Sequence, residues 1–232
     1  MERESTDNLS GQGLYTLGYA SKLAGMKRDT ISRWLYGYQR KDSDYEPVKQ
    51  PNLRNIGNHR AAGFLDLMEL RVIQQFLARG VSLQTIRKAA RKARALIKHD
   101  HPFSTRIFKT DGRSIFADLQ PHDDKDAGAL LEVVSSQWVF EDVVGPSLHD
   151  LDYPDQNEAS SPYQWWAAGR DRQVIVDPRK SFGMPLVREG WVPTAILANQ
   201  AKVNGVDRTA ELYQVSKRGV LDAVSFEDQF AA

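Results

Sequence analysis

The sequence contains no cysteine and no long hydrophobic run, and each absence excludes a class of protein. Without cysteine among its 232 residues, the chain forms no disulfide bond and no thiolate-ligated zinc site. No apolar run reaches the roughly 20 residues that a membrane-spanning helix requires. The polar leader 1–13 lacks the apolar core of a signal peptide. These absences predict a cytoplasmic protein that has no membrane partner.

The residue types that enzymes use are present, but they lack the spacing of a catalytic site. Five histidines are scattered along the chain, and we interpret His99 and His101 as a surface loop because no cysteine accompanies them. No serine lies in a nucleophile elbow, and neither a phosphate-binding loop nor a dinucleotide fingerprint occurs. We therefore expect no metal site and no cofactor, and we predict that the protein is not an enzyme.

Charge is distributed unevenly along the chain, although the net charge is only +1. Residues 1–100 contain 18 Lys and Arg against 10 Asp and Glu, whereas residues 101–232 contain 13 against 20. A basic half suits a polyanion and an acidic half suits a basic partner. Two solvated faces would produce the same imbalance, so charge alone leaves both interpretations open.

Two short helices joined by a tight turn are predicted near the start of the chain. The first runs over 16–24, with Thr16 as its N-cap and Gly25 at its end. The second runs over about 28–36, where an apolar face alternates with small polar and basic residues. This pattern predicts a helix-turn-helix.

The residues that follow predict a wing and two longer helices. Short strands around 45–48 and 53–56 would form the wing, and helical periodicity continues over 64–79 and 83–98. The last of these helices has an alanine-rich stripe and many basic residues. The stripe could pack against a second copy of the chain, which would give a homodimer.

The remaining sequence changes character twice. A β-hairpin is predicted over 102–119, around the Asp-Gly turn at 111–112, and an acidic, turn-rich linker over 142–161. Short strands at 174–177 and 186–187 then precede three helices, which begin near 191, 207 and 217.

The first third of the chain resembles the winged-helix DNA-binding domain of MerR-type regulators. The resemblance rests on Ala20, Leu23, Ala24-Gly25-Met26, Thr30-Ile31, Trp34, the run Leu77-Ala78-Arg79-Gly80-Val81-Ser82-Leu83, and Ile86. It implies that the second short helix is a recognition helix, which presents polar and basic side chains to the major groove.

The candidate DNA-binding residues follow from that geometry. Lys22 and Lys27 are placed to reach phosphates. The alternative interpretation of this region is a small helical core with a solvated basic face. The other candidates for DNA binding come from the recognition helix and the wing. They are Arg28, Thr30, Ser32, Arg33, Tyr36, Arg54, Asn58, His59 and Arg60.

The end of the chain resembles a small uncharacterised domain family that is common in bacterial antitoxins. The motifs are Asp177-Pro178, Gly183-Met184-Pro185 and Val192-Pro193. A MerR-like head with this tail looks like the larger VapB-type antitoxins. The resemblance implies a protein that represses its own operon by binding operator DNA and that neutralises a cognate PIN-domain (VapC-like) ribonuclease toxin, in a homodimer or a larger hetero-oligomer.

Two adjacent tryptophans, Trp165 and Trp166, mark the start of this tail. Neighbouring residues of a strand or helix cannot both face one core, and an exposed aromatic often marks a partner interface. Packing of both rings beneath the tail is the equal alternative. With the tryptophans, the candidate toxin-binding residues are the cations that antitoxins use against an acidic toxin cleft: Arg170, Arg172, Arg179, Lys180 and Arg188.

Together these patterns predict an α+β, mainly helical protein. Its parts are a flexible leader at 1–13, a MerR-like winged helix-turn-helix at 14–100, a β-containing middle region with an acidic linker at 101–161, and at 162–232 a helical antitoxin-like domain with a short two-stranded element. The alternative function is a ligand-responsive MerR-like transcriptional regulator without a toxin partner, whose effector pocket would surround the tryptophans.

Overall fold

The computed structural model describes residues 12–40, 43–45, 47, 55–56, 59–108, 144–154 and 160–230. The chain divides into two compact units. We call residues 15–149 with 153–162 the head unit, and residues 150–152 and 163–232, together with 1–14, the tail unit. No helix within the described ranges is both long and apolar enough to cross a membrane.

The head unit begins with the predicted helix-turn-helix. Strand β1 (Tyr15–Thr16) leads into α1 (Leu17–Ala24), whose N-cap Thr16 accepts a hydrogen bond from the backbone N–H of Tyr19 at 3.2 Å. Helix α2 (Arg28–Tyr36) follows after a short turn. Both helices lie within a residue of the predicted bounds, because their caps and apolar spacing are local features of the sequence.

The wing is built differently from the prediction. Strand β2 (Tyr38–Arg40) pairs with β3 (Ser43–Tyr45), and β4 (Asn55–Ile56) pairs with β5 (His59–Ala62), which also pairs with β1. The strand predicted at 45–48 is wrong, because the described strand ends at Tyr45. Pro47 lies just beyond this end and has no N–H to donate to a neighbouring strand. The predicted partner at 53–56 is confirmed for residues 55–56, and its strand partner is β5.

Two longer helices complete the core of the head unit, as predicted. They are α3 (Phe64–Ala78) and α4 (Leu83–Ile97). The buried side chains of Trp34, Phe64 and Phe76 pack at the centre of this unit.

The region predicted as a β-hairpin begins with helical turns instead. Pro102–Ser104 form a 3-10 turn and residues 106–108 are helical. Thr105 Oγ1 donates to the carbonyl of Pro102 at 2.7 Å, which closes this turn locally. Phe103 and Phe108 are fully buried with their ring centroids 5.0 Å apart, so burial in the helical core overrode strand propensity. The turn predicted at 111–112 lies outside the described residues.

The predicted acidic linker contains regular secondary structure among its described residues. Its residues include α5 (Gly145–His149) and the edge strand β6 (Leu151–Asp152). Leu148 and Leu151 are buried, which explains why this acidic stretch folds onto the protein.

The tail unit contains more strands than the two that were predicted. Strands β6, β7 (Gln164–Trp166), β8 (Val174–Val176), β9 (Leu186–Val187) and β10 (Val192–Pro193) form one antiparallel sheet in the order β10-β9-β8-β7-β6. The prediction of a two-stranded element was wrong because strands of two or three residues leave almost no periodicity to detect.

Three helices pack against this sheet, as predicted. They are α6 (Thr194–Asn204), α7 (Val206–Tyr213) and α8 (Lys217–Asp228). Val187 from the sheet, Leu197 and Val220 form the centre of their common core. Pro193 was predicted inside the first turn of α6, but it is the last residue of β10 and the helix begins at Thr194.

Candidate functional site

Helix α2, which was predicted to be the recognition helix, has a buried face and a basic face. Ile31 and Leu35 are completely buried and Trp34 is 1% exposed, whereas Arg28 and Arg33 are exposed. Both lysines predicted to reach phosphates, Lys22 and Lys27, are also exposed, and Thr30 is half-buried. Burial of one face thus fixes which side chains α2 presents to solvent.

The turn between α1 and α2 fixes the angle at which the helices meet. Gly25 has a φ of 65°, in the left-handed region that favours glycine, and its N–H donates to the carbonyl of Lys22. Met26 N–H donates to the carbonyl of Ser21 at 3.1 Å, and the Ser21 hydroxyl donates to the carbonyl of Met26 at 2.6 Å. These bonds make the turn rigid.

The wing is braced against the recognition helix through Arg60. Its Nη1 donates to Ser32 Oγ at 2.9 Å, and its guanidinium carbon lies 4.7 Å from the centroid of the Tyr36 ring. The Tyr36 hydroxyl bonds both backbone groups of Ala61, and burial raises the pKa of Tyr36. Three predicted DNA-binding residues therefore come together, and Ser32 and Tyr36 also hold the wing.

A concave surface of about 830 Å³ lies beside this brace. It joins the start of α1, the first turns of α2 and strand β5, so four of the predicted residues, two from α2 and two from β5, share one surface. Arg54 and Asn58 lie outside the described residues. The surface is lined by Thr16, Leu17, Gly18, Arg28, Asp29, Ser32, His59 and Arg60.

A buried arginine supports the recognition helix from behind. Arg87, on α4, is 4% exposed and donates to the carbonyl of Arg33. Its guanidinium carbon lies 6.0 Å from the ring of Trp34 and 5.6 Å from that of Tyr38, and burial lowers its pKa. The sequence interpretation placed Arg87 among the basic residues outside the apolar stripe, because nothing local distinguishes it from the exposed cations around it.

One histidine of the predicted surface loop is in fact buried. His101 and Asp66 are each 1% exposed, and His101 Nε2 lies 3.0 Å from Asp66 Oδ1. Asp66 Oδ2 accepts the N–H of Gly63 at 2.9 Å, so the pair ties the end of the wing to the segment after α4. Within the described ranges no three potential ligands gather as a metal site would require.

In the tail unit, the two adjacent tryptophans face opposite sides of β7. Trp165 is 5% exposed and belongs to the core, whereas Trp166 is half-buried. Asp152 holds Trp166 in place, since its Oδ2 accepts the indole N–H at 2.8 Å. Asp152 Oδ1 accepts Arg170 Nη2 at 2.8 Å, and the Arg170 guanidinium carbon lies 5.7 Å from the Trp166 ring.

A second carboxylate fixes a second arginine. Asp177 Oδ1 accepts the backbone N–H and Nε of Arg179, and Oδ2 accepts Nη2 at 2.7 Å. This hydrogen bonding raises the pKa of Arg179. The guanidinium of Arg179 lies 4.7 Å from the Tyr163 ring centroid.

The two remaining cations of this face also lie over aromatic rings. Arg188 lies 5.3 Å from the centroid of Trp166, and Lys180 Nζ lies 5.0 Å from that of Trp191. These rings and cations surround a cavity of about 540 Å³, which we call the tail groove. Its lining is Asp152, Tyr163, Gln164, Trp166, Asp177, Arg179, Lys180, Arg188 and Trp191.

Most of the predicted toxin-binding cations thus come together, but not all. Arg172 donates to Ser225 Oγ on α8 and does not line the groove. The sequence interpretation missed Asp152, Asp177, Tyr163 and Trp191. Asp152 was assigned to linker charge, and the Asp-Pro turn at 177–178 was the only local signal for Asp177.

Comparisons with known proteins agree with this architecture. Residues 13–90 match the family model described as "Putative DNA-binding HTH domain". "Putative antitoxin VapB45" of Mycobacterium tuberculosis is 28% identical over 229 residues, which cover 91% of this chain and 94% of that protein. The X-ray crystal structure of Rv2018 from Mycobacterium tuberculosis is similar with a TM-score of 0.72 at 22% identity, over 90% of this chain and 96% of that one. The structural likeness shows a shared fold, and the family match shows that a helix-turn-helix domain spans residues 13–90.

Proposed function

We propose that this chain is the antitoxin of a type II toxin-antitoxin system. Its head unit binds promoter DNA and represses the chain's own operon, and its tail unit binds and neutralises a PIN-domain, VapC-like ribonuclease toxin. The observation that carries the proposal is the likeness to "Putative antitoxin VapB45", which extends over 91% of the chain and so is not confined to the helix-turn-helix. The helix-turn-helix family match independently supports a DNA-binding, non-enzymatic regulator.

The proposed DNA-binding mode is that of MerR-type winged helices. Helix α2 enters the major groove with Arg28 and Arg33, while Lys22 and Lys27 neutralise phosphates. Arg60 and His59, at one side of the same surface, bring the wing to the DNA backbone. A homodimer formed through the alanine-rich stripe of α4 would place two such helices on paired half-sites.

Titration of the chain's own promoter fragment tests this assignment. Arg28→Ala is expected to weaken promoter binding by about tenfold, because an exposed arginine at the start of a recognition helix contributes on the order of 1–3 kcal/mol. Lys202→Ala in the tail unit is the matched control. Unchanged affinity for Arg28→Ala would contradict the proposed binding surface.

Co-expression with the adjacent reading frame tests the antitoxin role. A tag on this chain alone should recover a stoichiometric complex, and the partner should cleave RNA once it is freed by denaturation and refolding. Purification of the chain alone, with normal promoter binding, would contradict a toxin partner.

The second candidate is a ligand-responsive regulator. The observation that favours it is the tail groove, whose volume of about 540 Å³ lies in the range of small-molecule sites and whose lining includes two tryptophans. A small anionic molecule that quenches tryptophan fluorescence and also shifts promoter affinity would support this candidate. Quenching that leaves promoter affinity unchanged would contradict it.

A further inference from the structure

The cations that line the tail groove, and Arg170 next to its lining residues, differ in whether a carboxylate already neutralises them. Arg170 is paired with Asp152 at 2.8 Å and Arg179 with Asp177 at 2.7 Å. Lys180 and Arg188 are exposed, and among the described residues neither has a carboxylate within ion-pair distance. The groove is therefore lined by one internally neutralised arginine, Arg179, and by two cations whose charge remains available, while Arg170 is neutralised by the lining residue Asp152.

The position of Arg188 makes its donors directional. Its guanidinium lies over Trp166, and that indole is fixed by the hydrogen bond to Asp152. A guanidinium stacked on a ring keeps its N–H edge free for a carboxylate or phosphate, in the planar fork that binds such groups with two bonds. The stacking also reduces the conformational entropy that Arg188 loses when it binds.

Exposed aromatic side chains and strained backbone occur at the lining residue Trp191 and at Ser181 and Phe182, which directly follow the lining residue Lys180 in the sequence. Phe182 is 67% exposed and Trp191 is 46% exposed. Ser181, Phe182 and Trp191 all have positive φ values, between 44° and 56°, although none is glycine. Such conformations are costly and cluster at binding sites. Exposed aromatic residues beside arginine are the composition of the centres of protein interfaces.

Two features favour a protein over a nucleic acid in this groove. Surfaces that follow a phosphate backbone are strongly basic, whereas this lining alternates the cations Arg179, Lys180 and Arg188 with the carboxylates of Asp152 and Asp177. Single-stranded nucleic acid also needs open ring faces on which bases stack. Here each of the three lining rings already has a cation of the same chain over it.

From these observations we infer that the tail groove is the docking surface for an acidic segment of the partner protein, whose carboxylates bind Arg188 and Lys180 beside the exposed ring of Trp191. Asp152 and Asp177 are positioning residues, since they hold Trp166 and Arg179 and do not contact the partner. This inference rests on the proposed function, because it assigns the surface through which the tail unit binds its toxin.

Binding of the co-expressed adjacent-frame product to purified full-length chain tests the inference. The double charge reversal Lys180→Glu/Arg188→Glu is expected to weaken binding at least about tenfold, since repulsion between like charges replaces attraction at the interface. Lys202→Glu makes the same type of change on α6, where Asp228 is the one carboxylate among the described residues within ion-pair distance, at 4.0 Å, and should bind like wild type. Promoter binding by the head unit and a thermal melt establish that each variant is folded.

A conservative variant separates the planar fork from simple charge. Arg188→Lys keeps the charge but loses the fork, so we expect binding weakened about threefold. Wild-type affinity in both the double variant and Arg188→Lys would overturn the inference while leaving the antitoxin role intact. Failure of the wild-type chain to bind would overturn the antitoxin role, and the inference with it. If the double variant lost binding to a single-stranded RNA oligonucleotide but still bound the partner protein, the groove would be assigned to nucleic acid instead.

Discussion

The head and tail units both expose arginines and lysines, but they hold them differently. On the head unit, the exposed side chains of Lys22, Lys27 and Arg28 make no hydrogen bond or ion pair with the described residues. On the tail unit, Arg179 and Arg188 lie over aromatic rings. Lys22, Lys27 and Arg28 thus have no internal partner among the described residues, whereas aromatic rings orient Arg179 and Arg188.

This difference fits two kinds of partner. A phosphate backbone presents regularly spaced charges, and binding it requires charge more than fixed direction, because the gain comes from released counterions. A protein partner presents a few carboxylates at fixed places, so oriented donors lose less entropy on binding. Arg60 is the intermediate case, because it faces the proposed DNA surface but is stacked on Tyr36 and bonded to Ser32.

The largest effect is expected from a change that damages the head unit alone. His101→Ala leaves the buried carboxylate of Asp66 without its histidine partner, which should lower the free energy of unfolding by about 3 kcal/mol. Urea denaturation with circular dichroism measures the loss. Promoter binding should fall with it while partner binding at the tail groove persists, and His149→Ala, an exposed histidine of the same unit, serves as control. A wild-type denaturation midpoint would show that the pair contributes nothing.

An intermediate effect is expected at the braced cation of the head unit. Arg60→Lys keeps the positive charge but removes the planar contact with Tyr36, so the wing should be held less firmly. We expect promoter affinity to fall about threefold to tenfold, or roughly 1 kcal/mol, with the slope of log affinity against log salt unchanged. Gel shifts at several salt concentrations measure both. A shallower slope would instead indicate that Arg60 acts by neutralising a phosphate.

The smallest effect concerns the alkaline stability of the head unit. Burial raises the pKa of Tyr153, whose hydroxyl donates to the carbonyl of Ser104 at 2.9 Å. Above pH about 10 the unfolded chain ionises this tyrosine while the folded chain keeps it protonated, so the stability contributed by Tyr153 is present below that pH and falls as pH rises.

Comparison of wild type with Tyr153→Phe isolates that contribution. The variant should be less stable by about 1 kcal/mol at pH 8, because it loses a hydrogen bond. The difference in the free energy of unfolding between wild type and the variant should be smaller at pH 10.5, by roughly 1 kcal/mol or slightly less, since phenylalanine does not ionise. Urea midpoints at the two pH values provide the measurement, and a constant difference would contradict the assigned pKa shift.

Local sequence patterns were enough to predict most helices of both units, but not α5 or the helical turns that begin at Pro102. Thr16 as N-cap, Gly25 as the turn residue and the apolar spacing of α2 act over three or four residues, so the helix-turn-helix could be predicted from local chemistry. The same reasoning located α3, α4, α7 and α8. It also identified Trp166, Arg179, Lys180 and Arg188 as candidates for one surface, although only as a set of residue types.

Which of these residues come into contact depends on the tertiary structure. Asp152 reaches Trp166 and Arg170 because β6 pairs with β7 across eleven intervening residues. Arg87 and His101 are buried through contacts with residues more than thirty positions away. Such partners leave no mark on the neighbouring sequence, because burial and pairing of a charged group depend on the packing of distant elements rather than on local spacing.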